Sequence, residues 1–188
     1  MSILTESIRL DKEYRALLHT AEVAFAAVKP LKIAASGLCD GAADATYVSL
    51  LEDLKKRRAE GARGLSDAGC ALVVCAEEKD CIRTVDMLCR FGLRATFFGP
   101  RDFNFYNITA SHEYEHERLR VLFGMMHGMF DAVVTTPDAA LGFTMPPETM
   151  AEHTMRIDFD TRVELADMAR RLVDAGYVRV EMVDGAGQ

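Results

Sequence analysis

The chain has 188 residues, of which 49% are hydrophobic and 27% charged, and its formal net charge is −7. This length supports one sizeable core, and the acidic balance excludes a nucleic-acid surface spread over the whole chain. No run is long and apolar enough to cross a bilayer, and no apolar run follows a basic start, so neither a membrane span nor a signal peptide is expected.

The five cysteines are odd in number and form no CxxC pair. With no export signal, they predict reduced thiols in a cytoplasmic protein. Cys70, Cys75, Cys81 and Cys89 sit in apolar patterns, at spacings that do not suit zinc.

In chain order, the first predicted helix runs from about Leu10 to Val28, with Tyr14, Leu17, Leu18, Ala21 and Phe25 three and four residues apart, and Pro30 stops it. Leu31–Ala35 predicts a short buried strand, and Ser36–Gly41 a turn. A helix then runs from about Ala42 to Glu60. Strand, turn and helix in that order form the context of a phosphate-binding loop, in which Gly37 and Gly41 would cradle an anion. The lysine that should follow Gly41 is missing: Ala42 and Ala43 stand there, and Asp40 and Asp44 would repel a phosphate. The pattern predicts a degenerate loop with no cofactor. A nucleotide-binding module is the alternative that this turn leaves open.

The second helix ends in Lys55-Lys56-Arg57-Arg58, which reads as dipole-favoured cations or as a small nucleic-acid patch. Cys70–Ala76 predicts a strand buried on both faces, Glu77–Phe91 a helix and Leu93–Phe98 a strand. An aromatic loop covers Arg101–Ala110, and a helix runs from Ser111 to about Gly128. Ala132–Thr136 predicts another strand, followed by a helical turn at Asp138–Leu141. Strands alternating with helices imply a parallel sheet, so the predicted class is α/β.

Met145-Pro146-Pro147 reads as a hinge. Beyond it, Met155–Phe159 and Tyr177–Val183 alternate as half-exposed strands around a helix that begins at Asp160 or Thr161 and ends at Gly176. The expected division is an α/β domain over residues 1–147 and the start of a small α+β domain over 148–188. Two strands and one helix bury little alone, so this chain is expected to be a piece of a longer protein.

His112-Glu113-Tyr114-Glu115-His116 is a literal HExxH on a predicted helix. A zinc metallohydrolase would use His112 and His116 as ligands and Glu113 as general base. No third ligand falls in a recognisable pattern, and the surrounding Glu115, Glu117, Arg118 and Arg120 read as a solvated helix face. Met125, Met126 and Met129, with Phe123 and Phe130, read as core filling.

Several stretches together resemble a known family. They are Glu117–Leu122, Ala132–Leu141, Met145-Pro146-Pro147, Leu172–Val180 and Val183–Gln188, with Tyr14–Leu18, the glycine turn and Leu72–Glu78 before them. In this order and spacing they resemble the N-terminal region of the bacterial transcription-repair coupling factor (Mfd), over nearly the whole chain. The resemblance implies a UvrB-like, helicase-type α/β fold without ATPase motifs, followed by a smaller domain that recruits UvrA. It further implies a non-catalytic adaptor in DNA repair. The parent's ATP-dependent translocase motor, with its RNA-polymerase and DNA contacts, would lie outside this chain. An arginine-glycine segment that contributes to the family's UvrA contact would follow Gln188, so the UvrA surface is expected to be incomplete. For partner contact the last predicted strand offers Arg179 and Glu181, facing solvent opposite Val180 and Met182. The edge at Tyr177–Val183 is expected to pair with another chain, a possible homo-oligomer, or to be covered.

Overall fold

A computed structural model describes residues 3–27, 30–61, 69–100, 113–155, 157–160 and 162–181. The chain is mixed α/β. Three strands, β1 (Ala71–Val74), β2 (Ala95–Phe98) and β3 (Ala132–Thr135), form a parallel sheet in the order β1-β3-β2. Ala132 is level with both Ala71 and Ala95, and Thr135 with both Val74 and Phe98. Eight helices stand among the described residues: α1 (Ile3–Leu10), α2 (Lys12–Ala27), α3 (Asp40–Ala59), α4 (Glu78–Arg90), α5 (Glu113–Met126), α6 (Pro137–Leu141), α7 (Pro147–His153) and α8 (Leu165–Asp174).

The predicted first helix is two. Asp11 ends α1 and starts α2, because its carboxylate Oδ1 accepts the backbone N–H groups of Glu13 at 2.8 Å and Tyr14 at 2.9 Å. A side chain that caps a new helix offers those amides a partner that continuing α1 would not.

The two faces of the sheet carry separate cores, set by the period of two along β3. Ala132 and Val134 pack with Val48 of α3, Cys81 and Leu88 of α4, and Leu93. Val133 packs on the other face with Phe98, Val121 of α5 and Ala139 of α6. Helices α4 and α5 therefore lie on opposite faces.

Three sequence expectations need correction. Leu31–Ala35 is not a strand; it is irregular and exposed, with no neighbouring strand to bond. No strand occurs at 157–160 or 177–181 among the described residues, so α8 stands without the two strands expected around it. Alternation marks a strand's faces but does not provide the second strand its hydrogen bonds require. β1 is not buried on both faces: Leu72 is 57% and Val74 52% exposed, because β1 is an edge strand and α5 lies over β2 and β3. At Met145-Pro146-Pro147, where a hinge is expected, α7 begins, with Pro147 in the first turn, where a missing N–H costs nothing.

Candidate functional site

A cavity of about 940 Å³ lies at the predicted glycine turn. Leu4 and Ile8 of α1, Tyr14 and Leu17 of α2, and Ile33 and Leu38 of the irregular segment form much of its wall. Gly37 has φ +78, the left-handed region that favours glycine, and turns the chain into α3. Gly41 lies in the first turn of α3 and also reaches the wall.

A helix N-terminus attracts anions, but the charged groups on this wall are Asp11 and Glu13, with no lysine or arginine among its described residues. Without a strand before it, the turn does not sit at a sheet edge. The site is apolar with an acidic rim, a poor seat for a triphosphate.

Behind this wall a charged cluster fixes α1 and α2 on α3. Arg9 pairs with Asp53 at 2.9 Å and Glu52 at 2.7 Å, and the Tyr14 hydroxyl donates to Asp53 at 2.6 Å. Burial, and then the bond to Asp53, push the Tyr14 phenol well above its ordinary range. The cavity wall is thus held by ion pairs rather than by a deep core.

Three of the four residues of the basic run make contacts within the fold. Lys55 bonds Asp131 at 2.8 Å, Arg57 pairs with Glu22 at 2.9 Å, and Arg58 donates to the Gly69 carbonyl at 3.4 Å. These side chains tie the end of α3 to the residue before β3, to α2 and to the approach to β1.

Of the HExxH residues, His112 lies outside the described residues, and Glu113 and His116 stand on α5. His116 lines a cavity of about 550 Å³ with Phe123, Met145, Met150, His153 and Tyr177. Among the described residues no three His, Cys, Asp or Glu side chains gather to hold a metal. Purified protein is expected to carry zinc at well under one equivalent, as read by atomic emission. Stoichiometric zinc removed by a chelator would establish the metal site.

Comparison of the chain with protein-family models, characterised proteins and solved structures gives no match.

Arg179 and Glu181 are exposed, but on irregular backbone after α8, and Met182 lies outside the described residues. The Tyr177 amide returns to the Leu172 carbonyl at 2.9 Å, and Gly176 at φ +95 reverses the chain there. That closes α8 rather than starting a strand.

Sequence reasoning missed Arg118. Read as part of a solvated face, it is 7% exposed, its guanidinium lies 4.0 Å over the Phe98 ring, and it donates to the Gly99 carbonyl. It thereby fastens α5 to the end of β2, the edge where parallel sheets place ligands. A signal was present: Arg118 shares a helix face with Val121, Leu122 and Met125 at spacings of three, four and seven.

The thiols differ in a measurable way. Cys39 and Cys89 are exposed, while Cys81 is buried in the α4 face core, where burial and then the neighbouring Cys75 push its thiol up to about 11. At pH 8 in a thiol-reagent time course, Cys39 and Cys89 should label rapidly and Cys81 only as the protein unfolds. Fast labelling of Cys81 in native protein would contradict its placement.

Proposed function

We propose that the chain is a non-catalytic adaptor region related to the N-terminus of the transcription-repair coupling factor, carrying a degenerate helicase-like domain over 1–147 and the start of a UvrA-recruiting domain over 148–188. Its role is to help bring UvrA to stalled transcription complexes. The ordered set of sequence stretches from Tyr14–Leu18 to Val183–Gln188 is the chief support for the family. The observation that carries the non-catalytic reading is the cavity at Gly37 and Gly41, which offers acids and apolar groups where a nucleotide needs a cation. Cytoplasmic residence and UvrA as partner are part of the same proposal.

The test is direct binding of purified UvrA by interferometry, using this chain and a form extended at its C-terminus with the family's arginine-glycine segment. Saturable binding to either, absent for an unrelated acidic protein, supports the reading. Failure of both to bind sinks it. Calorimetry with ATP and magnesium is expected to show no binding heat; micromolar affinity would favour a nucleotide-binding module instead.

A further inference from the structure

Two thiols meet where β1 hands the chain to α4. The Cys75 amide donates to the Thr135 carbonyl at 2.9 Å, which holds Cys75 at the finishing end of β1, one residue past Val74. Its Sγ lies 3.7 Å from the Thr84 hydroxyl oxygen of α4. Thr84 stands three residues after Cys81, and residues three apart share a helix face with Cβ atoms about 5–6 Å apart. Cys81 is fully buried in the core that α4 forms with the sheet, and Cys75 packs against that core. The Cys75 side chain is also a hydrogen-bond neighbour of the Cys81 thiol.

The fold separates other thiols from this pair. Cys70 is five residues before Cys75, much the same spacing as the six to Cys81. Yet it packs on the opposite sheet face, with the core of Phe98, Val121 and Val133, about 16 Å away along an extended chain. Cys89 is exposed and stands eight residues after Cys81 on α4, about 12 Å along the helix axis. Chain separation offers Cys75 two near partners, and the fold brings it Cys81 and not Cys70.

We propose that Cys75 and Cys81 are a reversible modification site, at which hydrogen peroxide closes an intramolecular disulfide between the end of β1 and the first turn of α4. Cys75 is half-buried and is followed by exposed Ala76 and Glu77, so a small oxidant reaches its sulfur while Cys81 stays enclosed. The Cys75 sulfur attacks one peroxide oxygen and the O–O bond breaks; Cys75 becomes a sulfenic acid, and its proton leaves with the other oxygen as water. The Cys81 sulfur then attacks the sulfenic sulfur, the S–O bond breaks, and the hydroxyl leaves with the Cys81 proton as a second water. Two thiols and one peroxide give one disulfide and two waters. Contact makes up for the reluctance of the buried Cys81 thiol to ionise. Glu77, Glu78 and Asp80 crowd this loop with negative charge, which favours a neutral peroxide over an anionic oxidant such as glutathione disulfide. This inference does not depend on the UvrA proposal.

The test treats the reduced full chain with a small excess of hydrogen peroxide, blocks the remaining thiols and maps disulfides by mass spectrometry after a tryptic digest without reductant. Trypsin cuts after Arg63, Lys79 and Arg83, so the proposed bond joins peptides 64–79 and 80–83, and fragmentation assigns it to Cys75 or Cys70. In folded protein the Cys75–Cys81 bond should exceed Cys70–Cys75 by about tenfold or more, and dithiothreitol should reverse it. In urea the two bonds should form to similar extents, since their loops are nearly equal in length. Cys81→Ala should leave Cys75 as a sulfenic acid that dimedone captures; if that variant unfolds, the wild-type map decides alone. The proposal is overturned if folded protein forms Cys70–Cys75 as readily. It is equally overturned if the bond joins two chains, or if Cys75 and Cys81 stay reduced once Cys39 and Cys89 are oxidised.

Discussion

Replacing Asp131 with Asn is expected to lower unfolding free energy by about 3 kcal/mol at pH 7. Asp131 stands just before β3 with its side chain only 10% exposed. Its carboxylate accepts from Lys55 Nζ at 2.8 Å, from the Arg94 backbone amide at 2.9 Å and from Arg94 Nη2 at 2.9 Å. Lys55 and Arg94 are about half exposed, so water recovers them in the variant; the loss is the charge that joins α3, β2 and β3 at one corner. Burial opposes ionisation of Asp131, yet Arg94 and Lys55 hold its carboxyl far below the usual carboxylate range. The sign follows from linkage. A depressed folded pKa contributes stability above the unfolded value, about 3.9, which is lost as pH falls through the folded value. Urea midpoints of wild type and variant should therefore differ at pH 7 and converge as the pH is lowered below about 4. A gap that stays constant down to pH 2 would mean that the carboxylate charge is not what joins these elements.

Leu88→Ala should cost about 3 kcal/mol, the usual range for a fully enclosed leucine being about 2–5. Leu88 has no exposed surface and sits where α4 meets Val48, Leu93, Ala132 and Val134. Three helical or strand layers meet there, so the cavity cannot collapse by moving one side chain. The matched control is Leu72→Ala on the uncovered face of β1, expected within about 0.5 kcal/mol of wild type. Denaturant midpoints with unchanged slope would measure both. If Leu88→Ala cost no more than Leu72→Ala, α4 would not be packed on the sheet as described.

The two variants also show what a sequence can carry. That Leu88 is inside was legible, because α4 repeats Cys81, Val85 and Leu88 at spacings of four and three. That Asp131 is a hub was not, because its partners Lys55 and Arg94 are remote in sequence and nothing local marks them as converging. Lys55–Arg58 was ambiguous for the same reason. A run of cations looks alike whether it meets solvent, nucleic acid or the fold's own acids. Arg118 misled because a charged neighbourhood of glutamates masked its position on the apolar face of α5.

The candidate site divides in the same way. The missing cation after Gly41 is a local fact, whereas the acids on the described cavity wall, Asp11 and Glu13, come from a part of the chain remote from that turn. The apolar wall contributed by α1 and α2 was invisible beforehand, since it depends on the hairpin that Asp11 creates and on the Arg9–Asp53 and Tyr14–Asp53 bonds that dock it.

By itself the sequence determined the segments whose signal is internal: the helical periods of α3, α4 and α5, the apolar runs of β1, β2 and β3, and the parallel α/β class their alternation implies. Tertiary structure alone decided the order β1-β3-β2, the open face of β1, and which alternating stretches became strands. The physical reason is that a helix closes its hydrogen bonds within its own segment. A strand must find them on another: Leu31–Ala35, expected as a buried strand, and residues 177–181, expected as an alternating one, have no strand beside them among the described residues.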